Sequence, residues 1–264
     1  MNGHRPIALI TGSIRPGRVG LATAEVFAAA GFDLVLTYQG RPRPQDDPAK
    51  VAARAAIARA SGGSATCIIG ALELADPAQA QDLARQLVAD LPRLDVLVHN
   101  ASVYQPTPLN DLGAETLHRH MNVNAFSPIL ISRTLAPRLA ASPQPGGGAI
   151  ITLCDIHAMG ELGQPRTGFA AYGLSKAALL EGTLVLAREL APRVRVNAVA
   201  PGVVAFPPDG PEADPAMQAR YLSRVPLSRA GIVQEAAEAV HWLACKATYC
   251  AGQVLKVDGG RAIT

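Results

Sequence analysis

Short runs of β-branched and aliphatic residues recur along this chain, near 7–11, 33–38, 65–69, 94–99, 148–153, 194–199 and 252–257, each separated from the next by an Ala/Leu-rich stretch of helical period. That alternation constrains the fold more than any other feature. Strands joined through helices run parallel, and a parallel sheet is stable when helices cover both its faces. The periodicity predicts helices near 19–30, 48–61, 77–90, 112–119, 123–141, 170–190 and 233–244, with boundaries at Gly31, Pro77, Pro137 and Pro192. A chain of 264 residues, 49% hydrophobic and 17% charged, can bury one large core. The expected architecture is α/β: a single-domain, doubly wound Rossmann fold over 1–264, a seven-stranded parallel sheet flanked by helices.

Two stretches break the rhythm. Gly40 to Pro48 reads G-R-P-R-P-Q-D-D-P and must be a loop after the second strand, where a Rossmann-type fold meets an adenosine ribose. Pro201 to Pro226 is too rich in proline for continuous structure and is expected to form a substrate lid at about 203–230, with one helix near 214–224.

Several function classes are excluded by composition. Net charge is +3, but the arginines are scattered rather than bunched with aromatics, so no nucleic-acid partner is expected. No run reaches the ~18 apolar residues of a membrane span, and the apolar stretch after the N-terminus is too brief for a signal peptide. A soluble cytoplasmic protein without a membrane partner is the expectation. Cys67, Cys154, Cys245 and Cys250 show no C-x-x-C or Cys/His spacing, and the six histidines form no ligand set, so neither a disulfide nor a metal is expected.

The segment I-A-L-I-T-G-S-I-R-P-G-R-V-G-L-A places Gly12, Gly17 and Gly20 where the first strand hands over to the first helix. Missing side chains let the backbone approach a pyrophosphate, and the helix N-terminus supplies free N–H groups and positive dipole. An NAD site usually has Asp or Glu at the end of the second strand, but here that position reads L-T-Y-Q-G-R, with Tyr38 closing the strand. No carboxylate would repel a 2′-phosphate, and Arg41, Arg18 or Arg15 would pair with one. NADPH/NADP+ is therefore the expected cofactor.

Tyr172 and Lys176 lie four residues apart in F-A-A-Y-G-L-S-K, and Asp155 closes the apolar run A-I-I-T-L-C-D. On a helix the phenol and the ammonium share one face, so the cation is expected to lower the phenol's pKa and ready it for proton transfer.

With T-G at 11–12, H-N-A-S at 99–102, Y-x-x-x-K at 172–176 and P-G at 201–202, the chain resembles the short-chain dehydrogenase/reductase family from residue 6 to about 260. The resemblance implies a commonly tetrameric NAD(P)(H) oxidoreductase with Tyr172 as acid/base and Lys176 holding the nicotinamide ribose. It implies that Asn100 and Ala101 line the cofactor and that Pro201, Gly202 and Val204 contact the nicotinamide. Val19 and Leu74 join that cofactor set, as does Glu73, where an aspartate usually meets the adenine amine. Asn124 in M-N-V-N-A-F is implied to serve a proton-relay water, with Asn122 as the other candidate.

Within the family, three features are similar to pteridine reductases and dihydromonapterin reductases: R-V-G at 18–20, N-A-S-V-Y-Q-P-T-P-L at 100–109, and Asp155 where most members have a serine. This likeness implies that Arg18 reaches both cofactor phosphate and substrate, that Ser102 contacts cofactor and substrate, and that Tyr104 stacks on a pterin. Asp155, Tyr172 and Phe206 complete the implied substrate set. There are departures. The phosphate loop is longer than the pattern, leaving Arg15 and Arg18 as alternatives, and the 17-residue separation of Asp155 from Tyr172 is also longer. The extra material around A-M-G-E-L-G-Q-P-R-T either bulges outward or reshapes the pocket.

The leading expectation is hydride transfer from NADPH to a C=N bond of a dihydropterin, with Tyr172 as proton donor, assisted by Lys176 and Asp155, and Tyr104 over the ring. One alternative is a short-chain carbonyl or 3-oxoacyl reductase using the same cofactor and tyrosine. The other is an NADPH-binding protein that reports redox state with little turnover.

Overall fold

The computed structural model describes residues 4–158, 166–206 and 213–264. Its strands are β1 (Ile7–Ile10), β2 (Asp33–Tyr38), β3 (Cys67–Ala71), β4 (Val96–His99), β5 (Gly148–Leu153), β6 (Val194–Pro201) and β7 (Val254–Val257). They form one sheet in the order β3-β2-β1-β4-β5-β6-β7, and every pairing is parallel. The helices are α1 (Val19–Ala29), α2 (Pro48–Ala60), α3 (Pro77–Val88), α4 (Ala114–Met121), α5 (Ser127–Ala140), α6 (Ala170–Leu190), α7 (Pro215–Leu222) and α8 (Val233–Cys245). The expected doubly wound sheet is the observed one.

Strand alternation divides the core into two layers. In β1, Ala8 and Ile10 face one layer with α1, α2 and α8, while Ile7 and Leu9 face the other with α3, α5 and α6. Each fully buried Leu, Ile or Phe in these layers contributes roughly 1.5–3 kcal/mol. Helix starts are set locally: Asp47 and Asp76 each accept two N–H bonds as N-caps, ahead of Pro48 and Pro77 at the first helical position. Gly31, at φ +91°, ends α1 in a conformation other residues rarely adopt.

Several boundaries differ from expectation: β4 and β7, like β3, begin two residues late, at Val96 and Val254. β3 begins at Cys67 rather than 65, because the Thr66 N–H turns to the Asp33 carboxylate at 2.8 Å. Pro137 lies inside α5 rather than ending it, since a proline this close to the C-terminus removes a single intrahelical bond. The two helices expected at 112–119 and 123–141 are joined by a π-helical turn, Asn122–Phe126. Its side chains explain the wider turn: Asn122 donates to Ala75 O at 2.8 Å, and Ser127, just beyond, donates to Leu74 O at 2.7 Å, anchoring this corner to the end of β3.

The segment R-V-N at 195–197 pins the sheet to α8. Arg195, 6% exposed, donates to Leu243 O, Ala244 O, Ala247 O and Gly146 O at 2.6–3.1 Å, closing the C-terminal turn of α8 with a cation. Two residues on, Asn197 exchanges bonds with Cys250 O and Gln253 N–H. Both lie near the N-terminal edge of the sheet. Most of the A-M-G-E-L-G-Q-P-R-T material, at 159–165, and the lid's 207–212 fall outside the described residues. No described helix is long and apolar enough to cross a membrane.

Candidate active site

Strand order reverses between β1 and β4, and a cleft opens beyond their C-terminal ends. There a cavity of about 360 Å³ is lined by the expected Gly12, Arg15, Arg18, Val19, Gly20, Tyr38, Leu74, Asn100, Ala101 and Ser102. Backbone approach requires two of the glycines. A Cβ at Gly12, whose φ is +63°, would meet Ala101 Cα at 2.8 Å, and one at Gly20 would collide with the Asn100 amide and meet Gly12 O at 2.8 Å. The Asn100 amide itself donates to Thr11 O and Gly12 O, both at 2.9 Å, fastening the two strand ends together.

Tyr172, Lys176, Pro201, Gly202 and Val204 of the expected cofactor set lie outside this lining, and so do Gly17, Arg41 and Glu73. Gly17 sits in the outer loop with nothing near its Cα, and Glu73 turns its carboxylate back to the Ala75 N–H at 2.9 Å. Arg41 points outward, and Arg43 lines the cavity in its place. The reason is local: the Arg43 N–H donates to the Tyr38 hydroxyl at 2.8 Å, Lys50 Nζ donates to Arg43 O at 2.8 Å, and the guanidinium lies 5.1 Å over the Tyr38 ring. Arg15, Arg18 and Arg43 thus put three cations around a cavity with no carboxylate among its described lining residues, Arg43 also pairing with Asp47 at 3.5 Å behind it. Such a wall suits an anion.

Beyond β5, the Tyr172 hydroxyl donates to Asp155 Oδ2 at 2.8 Å, and Asp155 Oδ1 accepts the His157 N–H at 2.8 Å. Lys176 Nζ donates to Leu153 O at 2.7 Å and lies 5.9 Å from the Tyr172 ring centre. The phenol's pKa moves opposite to the expectation: burial pushes it well above its ordinary value, and the charge and hydrogen bond of Asp155 push it further. Burial lowers the Lys176 ammonium, while Cys154 and Asp155 work against that shift. The pair is a phenol kept protonated beside a carboxylate, not a pre-ionised phenolate.

Asn124, fully buried, accepts the Val103 N–H at 2.8 Å and donates to Val103 O and Ser175 Oγ, both at 2.9 Å. It bridges the loop after β4 to α6, whereas Asn122 turns to Ala75. Tyr104, 40% exposed, stacks on Phe169 at 4.8 Å and meets Tyr172 edge-on at 4.8 Å, so one face of its ring is already covered. Pro201 ends β6, Gly202 N–H donates to Val257 O at 2.9 Å, and Val203 O accepts the Gly231 N–H at 2.9 Å, which holds the turn carrying Val204. Phe206 packs edge-on against Tyr221 of α7 at 6.1 Å.

Four neighbours were not evident from the sequence. Arg43 and Phe169 are joined by Arg166, whose guanidinium lies 4.5 Å over Phe169 and 5.6 Å over Tyr104, and by Tyr221. Burial raises the Tyr221 phenol, against a backbone hydrogen bond at Val203 and the charge of Arg261, and a Cβ at Gly202 would lie 3.5 Å from its hydroxyl, which puts this ring beside the end of β6. Only Phe169 carried a signal, as an aromatic three residues before Tyr172.

Comparison with known proteins agrees with this fold. The family described as Enoyl-(Acyl carrier protein) reductase matches residues 16–262. A 3-oxoacyl-[acyl-carrier-protein] reductase of Synechocystis is 32% identical over 260 residues, 96% of each chain, and the Escherichia coli enzyme of that name is 31% identical over 262, 98% of each. Among solved structures, acetoin dehydrogenase from Enterobacter cloacae superposes with TM-score 0.81 at 27% identity, covering 99% of this chain and 97% of that one. A metagenomic blue fluorescent protein, solved in complex with NADPH, has TM-score 0.81 at 29% identity, covering 97% and 98%. No relative among these is named for pterin reduction. By sequence, fold and the placement of Tyr172 and Lys176, the chain belongs to the short-chain dehydrogenase/reductase family.

Proposed function

We propose that this protein is an NADPH-dependent reductase of a small carbonyl compound of the 3-oxoacyl or short-chain ketone type, with Tyr172 as the proton donor. The observation that carries the reading is the Tyr172 hydroxyl donating to Asp155 Oδ2 at 2.8 Å from the same helix that carries Lys176. Its support from relatives is their extent: the 3-oxoacyl reductases align over nearly the whole chain. This reading displaces the dihydropterin expectation.

The cavity fits the cofactor. Gly12 and Gly20 leave room for a pyrophosphate at the start of α1, and Arg43, with Arg15 and Arg18, supplies cations for a 2′-phosphate. NADPH, when bound, supplies the hydride. Tyr172 gives its proton to the substrate oxygen, Lys176 compensates the phenolate that remains, and Asn124 keeps the loop and α6 in register. In the described part of the expected lid, Phe206 packs against Tyr221 and offers an apolar contact for a substrate. The exposed Phe126 of the π turn and Leu174, Leu184 and Val185 of α6 suit the homotetramer that the resemblance implies.

Arg43→Ala is expected to raise KM for NADPH about ten-fold and leave KM for NADH within about two-fold, since only the former carries the phosphate. Paired steady-state kinetics check it. Equal effects on the two cofactors would remove Arg43 from the phosphate site.

One observation favours the second reading, a dihydropterin reductase: an ionised Asp155 cannot donate to an oxyanion, yet it can accept from ring N–H groups. The deciding experiment is a side-by-side assay of an acetoacetyl thioester and dihydrobiopterin with wild type and Asp155→Ser. On the ketone, Asp155→Ser is expected to keep or raise kcat, by up to about ten-fold, because a hydroxyl donor replaces a charge that opposes the phenolate. If dihydrobiopterin alone is reduced and Asp155→Ser loses about 10²-fold on it, the second reading stands. NADPH binding without turnover on either substrate would overturn both.

A further inference from the structure

Helix α6 starts at Ala170, and the preceding residue, Phe169, caps it with no side-chain bond. The first N–H groups of a helix have no partner within it, so they must find one elsewhere. A single distant residue takes two of them. Thr107 O accepts the Ala170 N–H at 3.3 Å, and Thr107 Oγ1 accepts the Ala171 N–H at 3.0 Å. The Thr107 N–H in turn donates to Gly168 O at 2.6 Å. Backbone and side chain of a threonine only 4% exposed are thus committed to the start of the helix that carries Tyr172.

The same short segment is gripped at its other end. Asn124 binds both the N–H and the carbonyl of Val103. Between the two clamps lie Tyr104, Gln105 and Pro106, and the Tyr104 ring stands edge-on to Tyr172 and stacked on Phe169. Tyr172 is the third residue of α6, so the point at which the helix begins sets where its phenol stands.

We propose that Thr107 is a positioning residue: as the surrogate N-cap of α6 it locks the substrate-side loop to the catalytic helix, so that Tyr104 and the Tyr172 phenol keep one fixed relation. The inference rests on the reading of Tyr172 as proton donor. A cap that served stability alone would lower the melting temperature and leave kcat unchanged. A positioning cap lowers kcat at unchanged cofactor affinity, because a displaced donor costs rate without costing binding.

The test compares Thr107→Val, Thr107→Ala and Thr107→Ser in the full-length protein. Val keeps the shape and loses the acceptor; Ser keeps the acceptor. Expected for Val and Ala are a fall in kcat of about ten-fold, a ketone KM within about three-fold and an NADPH Kd within about two-fold, with Ser near wild type. Amide hydrogen exchange at Ala170 and Ala171 should speed up in Val and Ala and stay slow in Ser. Unchanged kcat in Val and Ala, an equal loss in Ser, or a parallel loss of NADPH affinity would each overturn the proposal. If Val accumulates poorly, Ala and Ser decide by the same criteria. Should the wild type reduce no substrate, the proposed function fails, while the exchange rates still read the cap: equal rates in all four proteins would overturn it.

Discussion

Tyr172→Phe is expected to lower kcat for NADPH-dependent reduction by about three orders of magnitude while leaving the Kd for NADPH within about two-fold. The substitution removes one oxygen. That oxygen donates to Asp155 at 2.8 Å, whereas the ring keeps its packing against Tyr104 and Lys176. Loss of turnover with cofactor affinity retained would therefore place the oxygen in the chemistry. The pH dependence carries a sign. Reduction needs the protonated phenol, and burial together with Asp155 raises the pKa above its ordinary value, so the acid form persists on the alkaline side. The Tyr172 ionisation should accordingly leave kcat/KM for reduction flat between about pH 7 and 9, because the phenol stays protonated there. A variant retaining more than about a tenth of wild-type kcat would sink the assignment of Tyr172 as donor.

Arg195→Met is expected to destabilise the fold by about 3–5 kcal/mol, read as a lower urea midpoint at unchanged slope. Methionine fills much of the same volume, so the loss comes from carbonyls rather than from a cavity. Leu243 O, Ala244 O and Ala247 O accept from this one side chain inside the protein, and Gly146 O accepts from it at the surface; Ala247 O also has the Cys250 N–H, so the loss falls mainly on Leu243 O and Ala244 O, at about 1–3 kcal/mol for each buried acceptor left without a donor. Arg195→Lys should recover only part, since an ammonium cannot span four carbonyls with a planar fork. A loss under about 1 kcal/mol for Met would mean that the α8 turn rearranges to satisfy itself.

The sheet was legible in the chain because its strands are buried on both faces, and burial of that kind leaves uninterrupted aliphatic runs. The π turn at Asn122–Phe126 was not, because N-V-N-A-F has no composition of its own and its extra residue answers to Ala75, Leu74 and Val103, which come from elsewhere in the sequence. The arginine beside Tyr38 shows the same limit. Loop position pointed to Arg41, with Arg15 and Arg18, and missed Arg43, whose place at the cavity depends on bonds to Tyr38 and Lys50 that only the folded loop makes. For Tyr172, spacing correctly put the ammonium on the phenol's face, yet the direction of the pKa shift was set by burial and by Asp155, neither of which a four-residue interval contains. Phe169, Arg166 and Tyr221 belong to the site through packing alone.

Arg195 sits close to where β6 begins, and the groups assigned to the chemistry gather where β6 ends. Six residues of extended chain put about 20 Å between the two rims. A lineage or a designer can therefore rewrite the loops at one rim to change what is recognised, while the opposite rim keeps the molecule folded. For library construction, this separation marks the strand-to-helix loops to randomise and the helix-to-strand loops to leave alone.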